Sequence, residues 1–182
     1  GDFYRRVIEL VALESDVLVW PTAPPLGGDV TSAGELSYVW DLDDDPPRPG
    51  VLELVPFDLF RKGSPPYWDE RGARLLQSPA ESALGGVGRY EPPGALTEIV
   101  RRGLTPVFCC FDLTDVRWTS HVVRAGYAPE PAFVVVEFLG HYLMSGSPTV
   151  ANLEGTLDEW RDDVDVELVV AAQMMDDRAD YE

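Results

Sequence analysis

Four clusters of side chains in this chain have types and spacings that could do chemistry. Asp41, Asp43, Asp44 and Asp45 put carboxylates close together in a loop, the arrangement that hard cations such as Ca²⁺ or Mg²⁺ take. No glycine follows at the sharp turn of a calcium loop and no closing glutamate completes it, so a solvated acidic tip that repels edge pairing is the weightier reading. Asp163, Asp165 and Glu167 would line one face of a strand, which is also the pattern of a plain wet strand face. Cys109 and Cys110, with His121 and the carboxylates Asp112 and Asp115 nearby in sequence, contain the parts of a thiol nucleophile, its base and an orienting acid. The thiols sit in the apolar run Val107–Phe111, however, where buried cysteine is ordinarily inert packing. Tyr67 and Trp68 fall in a Pro-rich stretch, where exposed aromatics would serve as interface anchors and packed ones would pin the loop to the core.

Other chemistry finds little support. His141 has no acidic or thiol neighbour at a ligand spacing, and two histidines with two adjacent cysteines make a poor zinc set, so no metal is expected. Gly85-Gly86-Val87-Gly88 lacks the lysine and hydroxyl residue of a phosphate loop and has no strong strand before it. No hydrolase elbow or zinc-protease motif occurs. No catalytic residue and no cofactor are therefore expected from the residues themselves.

The surrounding charge is unusual. The 182 residues hold 32 Asp and Glu against 14 Lys and Arg, a formal net charge of -18, and Lys62 is the sole lysine. Half of that imbalance lies in residues 154–182, with 11 acids and 2 arginines. Such a field disfavours nonspecific nucleic-acid or anionic-membrane binding and favours a partner with a basic surface, a homo-oligomer being compatible with it, or else tolerance of salt. Apolar residues make up 45%, enough for a core, so the chain is not an acidic disordered tail. The Arg-, Asp-, Pro- and Val-rich composition suits a high-GC or halophilic source. Adjacent cysteines point to opposite faces of a strand and do not pair readily, which fits a reducing, intracellular setting, cytoplasmic or virion-associated. No apolar run approaches the roughly 20 residues of a membrane span, and no signal-peptide pattern is visible, although a processed leader is compatible with that.

The elements that would hold these residues follow from periodicity. Residues 3–13 are expected to form a helix, with Phe3, Val7, Leu10 and Val11 on one stripe. Residues 16–20 suggest a strand and residues 21–34, with their prolines and glycines, a loop. Glu35–Leu42 and Val51–Phe57 suggest two strands joined by the Pro-rich acidic connection 43–50. Residues 61–94 are poorly patterned, with a helix start at Ser78-Pro79-Ala80-Glu81. Ala95–Arg102 suggests a helix capped by Gly103, and Thr105–Asp112, Ser120–Ala125 and Ala132–Leu139 suggest three meandering strands. Residues 133–138 show no alternation, as in a central strand covered on both faces. Pro148–Arg161 suggests a helix and residues 164–170 a last strand. The sum is a single α+β domain over 1–182, a mainly antiparallel sheet with three or four helices and long Pro/Gly-rich loops.

One segment carries a resemblance. Residues 102–114, followed by 121–131, resemble the C-terminal region of YcaO-family proteins, in which a Gly-Leu, an apolar strand, Asp-x-Thr and a spacer precede Val-Val-Arg and a Pro-Gly-containing turn. Asp112, Thr114, Val122, Val123, Arg124 and Pro129 occupy matching positions, and residues 140–148 echo the segment that follows. The resemblance implies an ATP- and Mg²⁺-dependent peptide-modifying cyclodehydratase, or a degenerate, peptide-binding partner of one. The family's paired glutamates have no counterpart: Glu14-Ser15-Asp16 lacks the arginine and the spaced acid, so no catalytic residue carries over.

Beside it stands the leading expectation from the residues: a non-enzymatic interaction or assembly protein of immunity, inhibitor or virion-component type. It would hold a protein partner through Tyr67, Trp68, Asp43, Asp44, Asp45, Asp162 and Asp163.

Overall fold

The computed structural model describes residues 2–14, 37–44, 53–58, 67–72, 74–76, 90–138, 145–160 and 163–172. The elements run α1 (Asp2–Glu14), α2 (Ser37–Asp44), β1 (Leu54–Asp58), β2 (Tyr67–Asp69), β3 (Arg74–Leu76) and α3 (Gly94–Arg101). They continue as β4 (Thr105–Cys110), α4 (Leu113–Arg124), β5 (Ala132–Phe138), α5 (Val150–Asp158) and β6 (Val166–Ala172). Four strands make one sheet in the order β1-β4-β5-β6, and every neighbouring pair is parallel. β2 and β3 form a separate antiparallel pair. The expectation of a mainly antiparallel sheet is thus overturned: the architecture is mixed α/β on a mainly parallel sheet.

The reversal turns on residues 113–124, where Ser120–Ala125 was expected to be a strand and α4 is found. Asp112, in extended backbone, accepts hydrogen bonds from the amides of Thr114 (2.8 Å) and Asp115 (3.0 Å), which starts the helix. Val116, Thr119 and Val123 then fall on one helical face and are buried. Val122-Val123 favours a strand locally, but the cap and the buried face outweigh that preference. A helix of 12 residues rises about 18 Å, close to the length of a six-residue strand, so it carries the chain back to the starting end of the sheet. β5 must then run parallel to β4.

Both α3 and α4 stop in the same way. Gly103 (φ 75°) and Gly126 (φ 77°) take left-handed backbone just past each helix. After α3, Gly103 N donates to Val100 O and Leu104 N to Ile99 O; after α4, Gly126 N donates to Val123 O and Tyr127 N to Val122 O. This paired closure satisfies the last carbonyls and turns the chain sharply towards the next strand.

The core lies on the face of the sheet that presents Val55, Phe57, Phe108, Cys110, Val134 and Val136. Ala95, Leu96 and Ile99 from α3 pack there with Val116, Val122 and Val123 from α4. Phe57 and Phe108 meet edge-to-face at 6.0 Å. The opposite face is also covered at its centre, because Val107, Cys109 and Val135 are buried too. That double burial accounts for the unalternating stretch in β5, which lies between β4 and β6.

Two further expectations change. Glu35–Leu42 was expected to pair with the β1 segment as a hairpin, yet residues 37–44 are the helix α2 and β1 pairs in parallel with β4. Helical spacing explains it: Val39 is fully buried, while Trp40, Asp43 and Asp44, at i, i+3 and i+4, share a face and close around Arg102. The poorly patterned region 61–94 contains the hairpin β2–β3, whose turn Asp69 holds by accepting from Arg71 N (3.1 Å) and Arg74 Nε (3.2 Å). The expected strand at 16–20, the loop at 21–34 and the helix start at Ser78 lie outside the described residues. Among the described residues no helix is long and apolar enough to cross a membrane.

Candidate functional site

The expected binding residues divide between two places in the fold. Asp43 and Asp44 belong to a clasp around Arg102, the residue just past α3. Its guanidinium reaches Asp43 Oδ2 at 2.9 Å, Asp44 Oδ1 at 2.7 Å and Glu98 Oε1 at 2.7 Å, and lies 4.8 Å above the Trp40 ring. Glu98 also takes Arg101 Nε at 2.7 Å. Hydrogen bonds from Arg101 and then Arg102 hold the Glu98 carboxyl down to about 2. The same carboxylates, Asp43 foremost, raise the Arg102 guanidinium further above its ordinary range. Asp43 and Asp44 are therefore structural partners of an arginine that joins α2 to α3. Asp45 lies outside the described residues.

Trp68 and Asp163 come together through a residue not expected at the site, Arg124 on α4. Its guanidinium lies 4.7 Å over the Trp68 ring, and its Nε meets Asp163 Oδ2 at 3.0 Å. Trp68 also stacks on His121, with ring centroids 4.6 Å apart and an 18° interplanar angle. Trp68 is half-buried and packs against the core. Tyr67 precedes it in β2, in register with Leu76. Asp162 lies outside the described residues.

A second aromatic group adjoins this one along α4. Tyr90 meets Trp118 edge-on at 6.4 Å and Tyr127 at 5.6 Å, and the Tyr127 hydroxyl donates to Tyr90 O at 3.1 Å. Tyr90's own hydroxyl is buried and makes no hydrogen bond of ordinary geometry, as do the indole nitrogens of Trp68 and Trp118 and Nη1 of Arg124. Burial pushes the Tyr90 phenol up to about 12, with the neighbouring Trp118 indole acting in the opposite direction.

The thiols take no part in this. Cys110 meets α4 through Thr119 Oγ1 at 3.6 Å. His121 is two residues further on, about 200° around the helix, and turns away to Trp68. The expected Cys–His neighbourhood on adjacent strands is thus corrected, because His121 is helical. Cys109 lies on the other face of β4, and both thiols are buried and free of any disulfide. Near it Glu137, at the C-terminal end of β5, is half-buried. Desolvation raises its carboxyl, and the Cys109 thiol lowers it by hydrogen bonding. Asp115 is consumed locally, accepting from Phe111 N at 3.0 Å beside the Asp112 cap. Among the described residues no group of three His, Cys, Asp or Glu side chains converges as a metal site.

Apolar side chains are also exposed on β6. Leu168, Val169 and Val170 are 38%, 48% and 46% exposed, three consecutive apolar residues showing on both faces of the strand. Asp163, Asp165 and Glu167, also exposed, lead into it. Residues 166–170 alternate in sequence with acids only up to Glu167, and this apolar exposure at the edge is what their pattern left unmarked.

No protein-family model matches the chain, and no curated protein matches it at a significant level.

Proposed function

We propose that the chain is a non-enzymatic interaction protein that docks on a protein partner with a basic surface. The observation that carries this reading is β6: an exposed apolar run set directly against acids, in the half of the charge imbalance that residues 154–182 supply. Apolar patches rimmed by one sign of charge are how transient interfaces combine burial with steering. The acids speed association and set its salt dependence. The acids at Asp43, Asp44 and Asp163 are spoken for by Arg102 and Arg124, so the docking charge on this reading is chiefly that around β6. Buried thiols outside any disulfide suit a reducing compartment, cytoplasm or virion interior.

The test is capture from source lysate with elution in salt steps, using the wild type and Val169→Lys. One stoichiometric basic partner, released by salt and lost with Val169→Lys while the thermal melt is kept, supports the reading. Equal capture by Val169→Lys overturns it, and a calorimetric heat with Mg-ATP would instead favour the YcaO-like alternative of an ATP-dependent peptide-modifying domain.

A further inference from the structure

The two edges of the described sheet are finished differently. At β1 the bond from Thr105 N to Glu53 O (2.8 Å) turns residues 53, 55 and 57 towards β4, so residues 54, 56 and 58 face outwards. Pro56 stands at the centre of that outward row and has no N–H to offer, which blunts the edge. At β6 the bond from Ala132 N to Asp165 O (2.9 Å) turns residues 165, 167, 169 and 171 towards β5. Val166, Leu168, Val170 and Ala172 therefore present their N–H and C=O groups outwards. Residues 166–172 contain no proline, glycine, lysine or arginine, none of the devices that protect an edge except the one acid Glu167.

We propose, resting on the docking reading above, that β6 receives an extended basic segment of another protein as an added parallel or antiparallel strand. The ladder of outward groups supplies the hydrogen bonds, and seven residues give a docking length of about 23 Å. Side chains set the specificity. Leu168 and Val170 stand on one face and call for apolar partners; Glu167 stands on the other beside Val169 and pairs across strands with lysine or arginine. A second copy of this chain is a poor occupant, because joining two β6 edges brings together two stretches, residues 163–172 of each, that carry acids and no lysine or arginine.

The probe is a capped ten-residue peptide alternating valine and lysine, titrated calorimetrically at low salt. Two control peptides accompany it, one N-methylated at alternate residues and one with glutamate for lysine. The expected result is one-to-one binding that weakens at least tenfold on N-methylation and vanishes with glutamate. Leu168→Pro, which removes one outward N–H and leaves the bonds to β5, should abolish it. N-methylation works on the peptide, so the test stands even where that variant fails to fold. Equal affinity for the N-methylated peptide overturns strand addition while leaving salt-dependent docking intact. No binding of the valine–lysine peptide overturns it as well, and so does a wild-type dimer in sedimentation that Leu168→Pro dissociates. Failure of the lysate capture together with a silent peptide removes the docking reading itself.

Discussion

Replacing Tyr90 by phenylalanine removes a buried hydroxyl that makes no hydrogen bond of ordinary geometry, the Trp118 indole lying beside it. The consequence depends on pH, and its sign can be worked out. The folded phenol titrates at about 12 against an ordinary 10.0, so the neutral form is the one the fold accepts. Stability is intact below pH 10, where both states are protonated, and falls as pH rises through 12, because the unfolded chain ionises first. The full difference of two units is worth roughly 3 kcal/mol, of which about half is lost by pH 11. At pH 8 Tyr90→Phe should match or exceed the wild type by up to about 1 kcal/mol, because a buried hydroxyl with no hydrogen bond of good geometry costs more desolvation than it returns. Urea unfolding at pH 8, 10 and 11 measures both effects. The other six tyrosines titrate in both proteins, so the difference between the two curves isolates Tyr90. A gap in favour of the variant that opens by roughly 1 kcal/mol between pH 8 and 11 is expected. Parallel curves would show that burial does not raise the phenol, and a variant less stable than wild type by more than about 1 kcal/mol at pH 8 would show that the hydroxyl is paired; either refutes the reasoning.

Three further outcomes are expected. Asp112→Ala should cost about 1 kcal/mol in urea unfolding, because the amides of Thr114 and Asp115 lose their acceptor at the start of α4. Phe108→Ala should cost about 3–5 kcal/mol, since the ring is fully buried against Phe57 in the sheet's main core face. Arg102→Gln should speed hydrogen exchange in α2, which loses its ties through Asp43 and Asp44. It should also blunt acid sensitivity: Glu98 is held at about 2, so its stabilisation is present above the ordinary 4.5 and is lost as pH falls through 2.

How much of this was legible in the sequence varies by element. Helices with clean endings were readable, as α3 shows with its apolar face and Gly103 beyond it. The central strand β5 was readable for a different reason, since only a strand buried on both faces tolerates Phe133–Phe138 without alternation. Misreading Ser120–Ala125 as a strand then changed the sheet from parallel to antiparallel. Val122-Val123 has a strand's local preference, and the signal that overrules it was Asp112 in capping position with Asp115 in the first turn. Residues 37–44 were misread because Leu and aromatic residues alternate there for a few positions. Only the distant Arg102, 58 and 59 residues away, shows why Trp40, Asp43 and Asp44 must share a helix face. Of the expected binding residues, Trp68 and Asp163 do meet, but through Arg124, whose three-dimensional neighbours no local pattern announces. The open edge at β6 needed the strand order, because an edge strand and an inner one carry the same apolar residues.

The most direct measurement is hydrogen exchange by NMR on the chain with and without its captured partner, read residue by residue. The account predicts that the outward amides of Val166, Leu168 and Val170 gain protection on binding while those around Arg102 stay unchanged. Protection gained at α2 and α3 instead, with β6 exchanging as before, would contradict it.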